Sequence, residues 1–65
     1  MSIDKFKLDI AMANAKMNAY DLCKAAGIQY QTLHRATKGN PCKPATIGKV
    51  AKALDVDVEK IVAWV

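Results

Sequence analysis

Apolar and polar positions along this chain recur with a helical rather than a strand period, and punctuation by caps, glycines and prolines divides it into five segments. The first, Met1 to Ala15, has Ser2 as N-cap and Asp4 in its opening turn. It carries two apolar stripes, Leu8, Met12 and Ala15 on one side and Ile3, Phe6, Ile10 and Ala13 on the other. One stripe serves the core and the second needs other cover. After a short connection whose Met17 is expected to tuck inside, Asn18 caps a helix beginning at Ala19. Asp21 stands in its first turn, where a carboxylate favours the positive end of the helix dipole. Leu22, Cys23 and Ala26 keep one narrow apolar face, and Gly27 supplies the left-handed backbone that ends the helix. Ile28 plugs the corner. Gln29 to Ala36 then form a third helix, closed by Gly39, with only Leu33 and Ala36 facing inward.

Beyond a loop stiffened by Pro41 and Pro44, the fourth segment runs from Pro44 to about Leu54. Its residues Ile47, Val50, Ala51 and Leu54 form the cleanest core stripe in the chain. Asp57 is expected to cap a final short helix bearing Val58, Ile61, Val62 and Trp64. The pattern therefore predicts an all-α, compact five-helix bundle, one domain over residues 1–65, with a helix-turn-helix at about 19–36.

The outer surface of the third helix carries Tyr30, Gln31, Thr32, His34 and Arg35, all hydrogen-bonding and none acidic. Such a surface suits the major groove, where Gln pairs with adenine, Arg with guanine, and Thr or an aromatic ring meets the thymine methyl. Charge sharpens this picture. From Leu22 to Leu54 the chain holds Lys24, Arg35, Lys38, Lys43, Lys49 and Lys52 and no Asp or Glu, whereas the flanks carry four Lys against all six acids. The overall charge of +4 is thus concentrated in the middle, an electrostatic footprint for a polyanion. Lys38 and Lys43 flank the end of the third helix, where they would position the domain on phosphates and read no sequence.

Other chemistry is thin. Cys23, Cys42 and His34 match no metal-ligand spacing, and no paired carboxylates, activated nucleophile or glycine-rich phosphate loop is present. No metal, cofactor, small-molecule substrate or enzymatic activity is expected. No apolar run approaches the roughly 18 residues of a membrane span, and Asp4 and Asp9 interrupt any secretion signal, so no membrane partner and a cytoplasmic location are expected.

The stretches L-C-K-A-A-G-I at 22–28, T-L-H-R-A-T-K-G at 32–39 and T-I-G-K-V-A-K-A-L-D-V at 46–56 resemble the lambda-repressor-like, Cro-like or XRE-type helix-turn-helix family across nearly the whole chain. The resemblance implies five helices with the third in the major groove. It also implies Tyr30, Gln31, Thr32 and Arg35 at base-reading positions with His34 beside them, and Lys38, Asn40 and Lys43 near the DNA backbone. Asn18 and Ala19 are implied at a phosphate. Where the family often has Gln, this chain has Ala19, which leaves only backbone donors there. The family's frequent ion pair between an Arg late in its first helix and a Glu near the end of its third falls on Met12 and Thr37, so both charges are missing together. Losing one would strand a charge, whereas losing both can be neutral.

These readings lead to a sequence-specific double-stranded DNA-binding transcription regulator of the repressor or Cro-like phage or mobile-element kind. A homodimer is expected, at least on DNA. The alternative is a protein-interaction module, such as an antitoxin or adaptor, that uses its apolar C-terminal helix. In either case Ile61, Trp64 and Val65 are expected at the dimer or partner contact.

Overall fold

The computed structural model describes residues 1–63. Four helices, α1 (Lys5–Ala15), α2 (Ala19–Ala26), α3 (Tyr30–Thr37) and α4 (Pro44–Ala53), surround one core. Two short strands, β1 (Ser2–Ile3) and β2 (Val62–Ala63), close it. The five-helix expectation is therefore corrected. Among the described residues the fifth helix is replaced by a single 3-10 turn, Val58–Lys60, followed by β2. Its intended cap, Asp57, makes no side-chain cap hydrogen bond.

The start of the chain differs for the same reason. Ser2 is not the N-cap of α1 but part of β1, which pairs antiparallel with β2 in the register Ser2 opposite Ala63 and Ile3 opposite Val62. Helix α1 begins at Lys5, two residues later than a Ser2 cap would start it. Its cap is Asp4, whose side chain accepts a hydrogen bond from the Lys7 amide at 3.1 Å. The Asp4 amide itself donates to the Ile61 carbonyl at 2.8 Å, and the Lys7 ammonium reaches the Val62 carbonyl at 3.3 Å. Backbone groups at one end of the chain thus satisfy backbone groups at the other.

Each helix end has a local cause. Lys16 adopts left-handed backbone at φ 58, and the Met17 amide bonds back to the Met12 carbonyl at 3.0 Å, closing α1. Helix α2 opens with a reciprocal box. The Asn18 side chain accepts from the Asp21 amide at 2.8 Å, and the Asp21 carboxylate accepts from the Asn18 amide at 3.2 Å. It ends at Gly27, φ 71, as the sequence predicts. Pro44 occupies the first turn of α4, where its missing N–H has no partner to lose.

The core consists of Ile3, Leu8, Ala11, Leu22, Cys23, Leu33, Ala36, Ile47, Val50, Ala51, Leu54, Ile61 and Val62. The α4 stripe predicted from spacing is buried in full. On α1, Leu8 and Ala11 face inward with Met12 and Ala15 packed beside them, while Phe6 and Ile10 of the second stripe remain 76% and 52% exposed. Ile3 leaves that stripe altogether and enters the core through β1. No helix is long and apolar enough to cross a membrane among the described residues.

Candidate nucleic-acid interface

Helix α2 packs against α4 and α3, and this arrangement fixes how α3 presents itself. Leu33 and Ala36 are buried at 3% and 1%. The other positions from Gln29 to Arg35, namely Gln29, Tyr30, Gln31, Thr32, His34 and Arg35, are all exposed on the outward surface. Thr37, by contrast, is half-buried and donates its hydroxyl to the His34 carbonyl at 2.8 Å. In this eight-residue helix Leu33 and Ala36 are the buried side chains, which leaves its outer face for contact. Gln29, the N-cap, makes no side-chain cap bond, consistent with Gln being a poor substitute for Ser or Thr there.

The far end of α3 is tied down by one carbonyl. Arg35 O accepts from the Lys38 amide at 3.2 Å, from the Asn40 amide at 3.4 Å and from the Asn40 side-chain amide at 3.0 Å. Asn40, which the resemblance places near a phosphate, therefore shapes the loop that carries Lys38, and its backbone N–H is already engaged. Gly39, at φ 88, permits this reversal. The same loop is anchored from the other side, since the Cys42 amide donates to the Met1 carbonyl at 2.7 Å. Between α3 and the start of α4 lies a cleft of about 370 Å³ lined by Thr32, Arg35, Asn40, Cys42, Lys43 and Thr46. Arg35 and Lys43 thus share one concave polar surface beside α3.

At the start of α2 the picture is mixed. The Asn18 and Asp21 amides are engaged within the cap, so the backbone donors of Ala19 and Tyr20 are the ones without an intramolecular acceptor among the described residues. Ala19 is half-buried against the core. Electrostatically the surface is one-sided. Among the described residues the single ion pair joins Lys5 to Asp9 on α1 at 3.0 Å, and none of the six basic residues between Leu22 and Leu54 has an acidic partner.

Ile61, expected at a dimer or partner contact, is fully buried, because the Asp4 hydrogen bond and the strand pairing turn its side chain into the core. Trp64 and Val65 lie outside the described residues. Cys23 is in the core and His34 on the surface, so the two do not meet. Burial pushes both thiols above their ordinary range, and for Cys42 the positively charged N-terminus partly offsets that rise.

Met12 and Thr37, where the resemblance expects an ion pair, line one cleft between α1 and α3. There the Thr37 hydroxyl finds its acceptor within its own helix, so the neutral pair leaves no stranded charge.

Sequence reasoning missed Tyr20. Its ring stacks on that of Tyr30 with centroids 4.9 Å apart and planes 13° from parallel, and Tyr30 stacks in turn with His34 at 5.9 Å and 16°. The available signal was the placement of two tyrosines at the starts of successive helices that meet in a tight turn.

Two helices joined at Gly27, the second presenting an acid-free hydrogen-bonding surface flanked by unpaired cations, define a helix-turn-helix DNA-binding domain. The chain belongs to the Cro/C1-type helix-turn-helix DNA-binding domain family, whose model matches residues 7–65. No curated protein matches it. Three solved structures are similar in fold, with a TM-score of 0.83 and 31% identity. They are PhpD with cadmium complexed with hydroethylphosphonate, native PhpD with cadmium atoms, and a mutant hydroxyethylphosphonate dioxygenase. Each match covers 98% of this chain but 14% of the longer one.

Proposed function

We propose that this domain is a sequence-specific double-stranded DNA-binding transcription regulator of the repressor or Cro-like kind carried by phages and mobile elements, with α3 in the major groove. The observation that carries the reading is the continuous exposure of Tyr30, Gln31, Thr32, His34 and Arg35 on a helix whose back is anchored by Leu33 and Ala36. Gln31 and Arg35 discriminate bases through paired hydrogen bonds, Thr32 and Tyr30 add edge contacts, and His34 lies beside them. Lys38 and Lys43 meet phosphates on either side of the loop that Asn40 shapes, and the Asn18–Ala19 end of α2 approaches the neighbouring strand. One eight-residue helix spans only part of a helical turn of DNA, so two copies on a palindromic site are the expected working unit. The chain has no catalytic role in this reading.

A second reading is favoured by the dioxygenase structures, in which the same fold occupies a small part of an enzyme chain. A helix-turn-helix kept for contact with protein rather than DNA has the same core and a different use for its surface. Selection from a randomised duplex pool, followed by binding to the enriched and a scrambled duplex across salt, separates the two. An inverted repeat bound more tightly than scrambled DNA by about 4 kcal/mol or more supports the regulator. Weak, sequence-blind binding that vanishes with salt removes it and favours the protein-contact reading.

A further inference from the structure

Tyr30 begins α3, and an exposed aromatic residue in a helix's first turn has little of its own helix to restrain it. Its restraint here comes from two rings, Tyr20 on α2 and His34 one turn further along α3, both within stacking distance and nearly parallel to it. Tyr20 is 69% exposed and Tyr30 42%, so the column stands on the surface and contributes little to the core. The backbone that carries Tyr20 is anchored on both sides. It sits between the reciprocal Asn18–Asp21 cap and Leu22, which is fully buried.

We infer that Tyr20 is a positioning residue for base recognition, which fixes the Tyr30 ring through the Tyr20–Tyr30–His34 stack so that Tyr30 meets a base edge already ordered. The inference rests on α3 being the base-reading helix. A free tyrosine that must be immobilised on binding loses rotamer freedom at that moment, and a ring already held by neighbours avoids that loss. The gain applies only where Tyr30 makes a defined contact, so it appears as selectivity between sequences and not as general affinity. With its ring flanked by protein partners, Tyr30 offers its hydroxyl and edge to the groove.

The test uses the whole chain, the duplex most enriched from the randomised pool and its scrambled counterpart. Tyr20→Ala is expected to weaken binding to the enriched duplex about three- to tenfold and to leave the scrambled duplex nearly unchanged. Tyr20→Phe keeps the ring, loses the hydroxyl and is expected to restore the wild-type ratio. If Tyr20→Ala melts early, Tyr20→Leu keeps apolar bulk without the ring and carries the same expectation. Equal weakening on both duplexes makes Tyr20 a plain phosphate contact, and no rescue by Phe makes its hydroxyl a direct contact with the duplex; either result overturns the inference. A ratio unchanged in Tyr20→Ala, with a wild type that discriminates, overturns the inference alone. A wild type that does not discriminate overturns the base-reading function and the inference with it.

Discussion

The Asp4 amide donates to the Ile61 carbonyl at 2.8 Å, so the residue that caps α1 also holds the segment leading into β2. One residue on each side of this bond, Ile3 and Val62, is buried at 3%, and Ile61 itself is fully enclosed. The bond therefore sits at the seam between the chain's two ends, where α1 meets the C-terminal turn.

Ile61→Ala should behave as a core truncation. The expected loss is about 2–5 kcal/mol of unfolding free energy. Urea denaturation gives the loss, and sedimentation of the variant separates this outcome from an interface role, in which the chain keeps its monomer stability and changes only its association.

Arg35→Ala is expected to weaken the preferred duplex by about 1–3 kcal/mol and to relax one base position. Lys38→Ala and Lys43→Ala should instead weaken all duplexes alike, each lowering the slope of log affinity against log salt by about one. Titrations at several salt concentrations distinguish the two patterns. Uniform weakening by Arg35→Ala would move that residue to the cleft it shares with Lys43 and out of base reading.

The neutral Met12–Thr37 pair lends itself to a double-mutant cycle. Met12→Arg or Thr37→Glu alone places one charge in the half-buried cleft between α1 and α3 and should destabilise by about 1–3 kcal/mol. The double variant should recover much of that loss through the new ion pair, a coupling of about 0.5–3 kcal/mol. Additive losses in chemical denaturation would mean that the two side chains cannot reach each other.

Burial raises the Cys23 thiol above its ordinary value of 9.0. The neutral thiol is the form the core accepts, so its contribution to stability is fully present below that ordinary value and is lost as pH rises through the elevated one. The wild-type chain should therefore lose unfolding free energy more steeply above pH ~9 than Cys23→Ala does. Parallel pH curves for the two proteins would contradict this.

The helix-turn-helix and α4 were legible because their determinants are local. Asn18 and Asp21 lie three residues apart, Gly27 ends α2 by its own backbone freedom, and Ile47, Val50, Ala51 and Leu54 sit on one helical stripe. The ends were not legible. Ser2 and Ile3 are strand only because Ala63 and Val62 lie opposite, and a short apolar run such as Ile61–Val62–Ala63 fits helix or strand equally well from its own residues. The polar face of α3 could be read from composition, whereas the Tyr20 ring joined it only through the crossing of two helices. The resemblance places Asn40 near a phosphate, but its side-chain bond to the Arg35 carbonyl depends on the turn that Gly39 allows and is not legible from the residue alone.

The pairing of Ser2 with Ala63 also bears on how such a unit can be used. A fold whose chain enters and leaves at neighbouring points can be spliced into a loop of a larger protein without prying its host apart. In a transplant of residues 2–63 the α3 surface would stay outward and the two-stranded clasp would serve as the graft junction.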